Sequence, residues 1–151
     1  MPATAKHLPN APCPCGRGRP YAACCGPWHA GEPAPDAEAL MRSRYSAFVL
    51  GLADYLLATW HASTRPASLE PDEPGLRWLG LEVRAHARQD EDHATVEFVA
   101  RCKQGGRATR LHELSRFVHE QGRWYYVDGT DPRERPALPL EGMARSAKGA
   151  R

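Results

Sequence analysis

Four of the chain's five cysteines crowd into "CPCGRGRPYAACCG", as Cys13, Cys15, Cys24 and Cys25. Two close pairs either side of a short loop suit one tetrahedral ion, because each pair supplies one edge of the tetrahedron. Gly16 and Gly18 permit the positive φ that the intervening loop needs. The stretch is too short for a hydrophobic core of its own. A metal would replace that core, since apparent zinc affinities of small fingers correspond to ~10–16 kcal/mol. Four thiolates around Zn²⁺ leave two negative charges, which Arg17 and Arg19 are placed to offset. His29 is the alternative fourth ligand in place of Cys25, although adjacent Cys24 and Cys25 fit better, and His7 reads as a solvated bystander. Disulfides pairing Cys13 with Cys24 or Cys15 with Cys25 are disfavoured in a reducing compartment. Thioredoxin-type chemistry would want C-x-x-C opening a helix after a strand, and this sequence has none. The expected cofactor is zinc.

Composition bounds the rest. With 151 residues, 20 basic and 18 acidic for a formal net charge of +2, the chain has room for one ordinary domain plus an appendage. It lacks the basic excess of a duplex-DNA binder. The N-terminus shows no apolar signal region, and the longest apolar run, from Ala47, contains Asp54 and falls short of the ~20 residues a membrane span needs. A cytoplasmic protein without a membrane segment is the expectation. Residues 1–30 read as the metal element, 31–131 as the main domain and 132–151 as a basic, solvated tail.

The elements of the main domain follow from periodicity. Asp36 caps a helix that runs to Gly51, with Leu40, Met41, Tyr45, Phe48, Val49 and Leu52 on one side. A second helix spans about Ala53 to Trp60, and a proline-rich connection follows. From Leu76 the period becomes two: Leu79, Leu81, Val83, Ala85 and Ala87 alternate with polar residues, and three more strands follow. The result is an α+β domain, with helices covering one face of a four-stranded antiparallel meander.

Two turns set the register. A two-residue loop at Gly105-Gly106 places Phe98 opposite Glu113 and Val96 opposite Ser115. A similar loop at Gln121-Gly122 places Ser115 opposite Asp128 and Phe117 opposite Tyr126. Val96, Phe98, Ala100, Cys102, Leu111, Phe117 and Tyr126 then share an apolar face with Glu113, Ser115 and Asp128 in its middle. Arg116 falls on the opposite, solvated face. Carboxylates on such a face must be paired, hydrogen-bonded, protonated or set in a wet pocket. Arg42 or Arg44 is the natural neutralising partner; alternatively, Arg44, Tyr45, Trp60, His61, Glu113, Ser115, Tyr126 and Asp128 line a pocket for a small ligand. A lone histidine at a helix end, as His61 is, is more often a C-terminal cap than a pocket group, and Cys102 reads as a small buried hydrophobe.

The cysteine stretch resembles the SEC-C motif, a zinc-binding element of the SecA translocation ATPase and other bacterial proteins. The match covers both cysteine pairs, Gly16, Gly18, Tyr21 and Gly26, whereas Ala22 and Ala23 stand where such motifs usually carry lysines. In SecA the motif is associated with chaperone and ribosome binding, which implies a protein or ribosome-associated partner. "LMRSRYSAFVLGLADYLLATWH" with "ELSRFVHEQGRWYYVDGTDP" resembles the YchJ family of bacterial proteins. That resemblance implies a domain similar to nuclear transport factor two, a cystatin-like roll with a curved sheet and a central cavity. Some relatives carry a second SEC-C motif, but no cysteine follows Cys102 here. Three functions fit. The first is a zinc-binding adaptor whose knuckle contacts a protein or RNA partner and whose roll holds a small ligand. The second is an acid/base enzyme of the lyase, isomerase or hydrolase type, using Glu113 or Asp128 as base with Arg44, Tyr126 or His61 polarising substrate. The third, with less behind it, is ribosome or nucleic-acid binding through the zinc-loop arginines.

Overall fold

The computed structural model describes residues 10–69 and 75–132. His7 and the basic tail from 133 lie outside them. A single 3-10 turn, Tyr21–Ala23, leads into a short helix α1, Cys25–His29. The long helix α2, Ala37–Leu50, and the short α3, Ala53–Ala58, precede four strands: β1 Arg77–Asp90, β2 His93–Gln104, β3 Arg107–Glu120 and β4 Arg123–Thr130. The strands pair antiparallel in sequence order. This is the expected α+β architecture, a curved four-stranded sheet with the helices against one face.

The start of α2 is fixed by Asp36, whose Oδ1 accepts from the Ala39 N–H at 2.8 Å, and its end by Gly51 at φ 75°. The expected apolar stripe is only partly buried. Leu40, Met41 and Tyr45 are inside, but Val49 is exposed, while Ser43, Arg44 and Ser46 are buried. The helix is covered on two sides, by strands and by the cysteine segment, so its buried surface is wider than one stripe and includes polar groups. Helix α3 is shorter than expected. Trp60 leaves it to form a parallel bridge with Tyr126, because the chain from Thr59 runs along the β4 edge. There the Tyr126 N–H donates to Thr59 O at 2.8 Å and the His61 N–H to Tyr126 O at 2.7 Å. Backbone groups that an edge strand would leave open are thereby satisfied.

The hairpin between β2 and β3 turns on Gly105 and Gly106, both at positive φ, and its register is regular from Gln104–Arg107 to His93–Val118. Phe98 faces Glu113 and Val96 faces Ser115, as the turn predicts. The β3–β4 hairpin turns on Gln121 and Gly122, also at positive φ, and Phe117 faces Tyr126. Beyond that pair the register slips. Arg116 faces Asp128 and Ser115 faces Gly129, so Val127 forms a bulge and the expected Ser115–Asp128 pairing does not occur.

Strand β1 departs further, with irregularities between Trp78 and Gly80, Val83 and Ala85, and Arg88 and Asp90. Leu79, at the first, is 52 % exposed instead of inward-facing. After the second, His86 and Arg88 pair with the core-face residues Val96 and Ala94, and Ala85 and Ala87 do not. Each bulge reverses the alternation and adds local twist, which gives the sheet its curvature. One buried apolar cluster joins Leu40, Met41, Tyr45, Trp60, Val96, Phe98, Phe117 and Tyr126 to Tyr21 and all four cysteines of the N-terminal segment. Among the described residues no helix is long and apolar enough to cross a membrane.

Candidate metal centre

The thiols of Cys13, Cys15, Cys24 and Cys25 are all buried and lie within 4.8 Å of one another. The loop geometry explains how 13 residues achieve this. Gly16 at φ 79° closes a turn in which its N–H donates to Cys13 O at 3.2 Å, and Gly18 at φ 88° carries the chain back so that the Cys13 N–H meets Arg19 O at 2.9 Å. Cys24 adopts φ −134°, ψ −104° between the 3-10 turn and α1, a kink that lets two consecutive sulfurs converge. Gly26 is required for a different reason. A Cβ at that position would sit 2.9 Å from the Tyr21 carbonyl oxygen.

An ion with metal–sulfur bonds of about 2.3 Å spaces its four sulfurs about 3.8 Å apart. Cys15 Sγ and Cys24 Sγ are 3.6 Å apart, so the cluster has the size of such a site. All four are free thiols. Without a cation they compete for charge. Hydrogen bonds from Cys15 and Cys25 hold the Cys13 thiol down, contacts with Cys13 and Cys15 push Cys25 up, and burial with the neighbouring Cys15 sulfur pushes Cys24 up to about 12. A divalent ion would reverse that competition by stabilising every thiolate. Four soft, buried donors within 4.8 Å of one another therefore fit a metal ion.

The surroundings differ from the sequence expectation. His29 is no ligand: its Nε2–H donates to Ser43 O at 2.8 Å and its Nδ1 accepts from Tyr21 Oη at 2.6 Å. Burial lowers its pKa, which keeps the ring neutral and suited to this bridge. Arg17 is turned toward Glu38, with Nη2 3.3 Å from Oε2. Arg42 reaches the cluster instead, donating from Nη1 to Cys15 O at 3.1 Å while its Nε holds Glu38 at 3.0 Å. It lies on the metal side of the molecule, away from the role of partner to Glu113 or Asp128. Ser46, which no sequence signal marked, touches the sulfurs directly. Its Oγ donates to Cys25 Sγ at 3.3 Å and lies 3.5 Å from Cys13 Sγ.

The second constellation sits where α2, α3 and the sheet meet. Glu113 Oε2 accepts from Ser115 Oγ at 2.7 Å and from Tyr126 Oη at 3.2 Å. Burial raises its pKa, opposed by those two hydrogen bonds and the Arg44 charge. Arg44 Nη1 donates to Leu56 O at 2.8 Å and Thr59 Oγ1 at 2.7 Å, and its guanidinium lies over the rings of Tyr126 at 4.5 Å and Trp60 at 5.2 Å. Burial pulls it down to about 10, so it stays charged at neutral pH. A methyl group on Gly129 would overlap the Glu113 carboxyl, so a glycine inside β4 marks the close approach that holds this group. The Nε1–H of Trp60 is buried and lacks an acceptor among the described residues.

Arg44, Trp60, Glu113, Ser115 and Tyr126 thus come together. Asp128 lies buried near enough to oppose the Glu113 charge but is taken up by another partner, and Tyr45 and His61 do not join them. Tyr45 packs edge-on against Trp78, with ring centroids 5.7 Å apart. His61 binds Ser63 Oγ at 2.7 Å and Glu120 Oε1 at 3.0 Å. Asp128 is clamped by Arg116 at 2.7 and 2.6 Å, although strand alternation puts Arg116 on the solvated face. The Val127 bulge produces that pair.

Comparison with known proteins agrees with both halves. Residues 36–129 match the family model described as "YchJ, middle NTF2-like domain", and residues 10–27 match the SEC-C motif. A UPF0225 protein of Bordetella pertussis is 64 % identical over 129 residues, spanning 82 % of this chain and 97 % of its own. One of Methylibium petroleiphilum is 68 % identical over 127 residues, spanning 83 % and 91 %. The solution structure of a SEC-C motif containing protein from Rhodopseudomonas palustris superposes with a TM-score of 0.71 at 35 % identity, covering 80 % of this chain and 98 % of the other. A crystal structure of a SEC-C motif containing protein from Psychrobacter arcticus gives 0.68 at 31 % identity, covering 87 % and 86 %.

Proposed function

This chain belongs to the YchJ family of UPF0225 proteins, and from that premise we propose that it is a zinc-binding adaptor of a reducing cytoplasm. The SEC-C knuckle contacts a protein partner, and the roll carries the knuckle rigidly. The observation that supports this reading is the buried four-thiol cluster fastened to α2. With the cysteines inside, the loop at Arg17, Gly18 and Arg19 and the pair Ala22 and Ala23 are left exposed on a fixed platform. Zinc suits four thiolates at tetrahedral spacing and has no redox chemistry to manage. The exposed alanines suggest an apolar or backbone-mediated contact in place of a lysine-rich one.

The test is site-specific cross-linking from position 19 or 23, with the zinc-loaded chain compared with one stripped by a chelator. The adaptor reading expects cross-links to a protein that vanish on stripping. Cross-links to RNA would change the partner class, and partners fully retained without metal would contradict the reading. A second reading, a small ligand in the roll, is favoured by one observation: the unpaired Trp60 Nε1–H beside the charged Arg44 offers a donor to an acceptor group. The acid/base enzyme has weaker support, because Asp128 is held by Arg116 and a Glu113 oxygen already takes two protein hydrogen bonds.

A further inference from the structure

Two serines three residues apart on α2 are both fully buried, yet they use their hydroxyls differently. Ser43 does what a helical serine ordinarily does and donates back to the Leu40 carbonyl at 2.7 Å. Ser46 instead points its hydroxyl at Cys25 Sγ, at 3.3 Å, with Cys13 Sγ 3.5 Å away. A serine has one proton to give, and metal-bound thiolates only accept. A hydroxyl held dry between two sulfurs thus finds its strongest acceptor when those sulfurs are metal-bound thiolates.

We propose that Ser46 is a positioning residue of the metal centre. Carried by the roll, it donates to the Cys25 thiolate, fixes that sulfur's orientation and withdraws part of its charge. The metal site is then built by two segments: the knuckle supplies the ligands, and α2 supplies the hydrogen bond that orients one of them. Arg42 on the Cys15 carbonyl and His29 on the Ser43 carbonyl hold the two segments in register. The inference rests on the reading that the thiols hold a metal. It adds that metal affinity depends on a residue outside the cysteine motif, as outer-shell hydrogen bonds to ligands commonly dictate.

The experiment measures zinc affinity by competition with a chromogenic chelator, together with the sulfur-to-cobalt charge-transfer band of the Co²⁺-loaded chain. Ser46→Ala is expected to weaken zinc binding roughly tenfold or more and to shift the band. Ser43→Ala is expected to lower the melting temperature while leaving affinity and band unchanged. Ser46→Thr and Ser46→Val, alike in shape, isolate the hydroxyl, with the threonine variant expected to bind roughly tenfold more tightly. Equal affinities within that pair, or a Ser46→Ala variant binding within about twofold of the parent, would overturn the proposal while leaving the metal site standing. A parent chain that takes up neither ion would overturn the metal reading itself.

Discussion

Glu113 is a carboxyl group placed in the core, and its surroundings decide how it titrates. Burial acts against its charge; Ser115, Tyr126 and Arg44 act for it, Asp128 acts against it, and burial is the largest effect. Its folded pKa is therefore raised. It contributes stability that is full below the unfolded value of about 4.3 and is lost as the pH rises through the folded value. Glu113→Gln keeps the shape and removes that dependence. Denaturant unfolding from pH 4 to 8 should show the variant gaining on the parent as pH rises, and a constant difference would refute the raised pKa. Gly129→Ala should cost ~1–3 kcal/mol by displacing the same carboxyl, measured as a fall in the urea midpoint without a change in slope. Glu113 was legible in the sequence because a two-residue glycine turn fixes which residues face each other. Asp128 was not, since a one-residue bulge at Val127 has no signature of its own, and a serine within a helix, as at Ser46, reads as neutral. Gly129 inside β4 is the sequence mark of the close approach that seats this carboxyl.

At the scale of elements, turns carried most of the information and edges the least. The β2–β3 and β3–β4 hairpins close on two residues at positive φ, and Gln121 at 53° is the one non-glycine in that state among the described residues. An L-residue pays ~1–2 kcal/mol for such a conformation, less for asparagine. Gln121→Asn should thus stabilise the fold by up to about 1 kcal/mol, read as a higher urea midpoint at the same slope, and an unchanged midpoint would mean that the glutamine side chain compensates. Strand β1 shows why alternation alone misleads. Its bulges bring His86 and Arg88 to the helix-side face while both stay exposed, His86 3.8 Å from Glu38 and Arg88 over the Trp124 ring, where the sequence pattern puts alanines. Helix α2 likewise hid its burial, because a helix covered by both a sheet and a knuckle need not show one clean apolar stripe.

Across the whole molecule the knuckle and the roll share one buried cluster, although composition suggested a coreless appendage followed by a domain. A metal bound to the thiols should therefore stabilise more than the knuckle. At a free zinc concentration 100 times Kd the linkage is worth about 2.7 kcal/mol, or roughly 10 °C for a chain of this size. Chelation should lower a single melting transition, followed by near-ultraviolet circular dichroism of the roll's tryptophans, by about that much. A roll signal that melts unchanged while the metal is lost would mean that the two parts are energetically separate. The overall fold was legible because period, turns and the cysteine spacing agree, whereas their joint core depends on Ser43, Ser46, His29 and Arg42, polar residues whose partners only the three-dimensional packing reveals. The central claim, a four-thiolate zinc centre, is tested most directly by X-ray absorption at the zinc edge on the protein purified without added metal. One zinc per chain with four sulfur neighbours at about 2.3 Å is the predicted result, and a metal-free protein or a shell containing nitrogen or oxygen would contradict it.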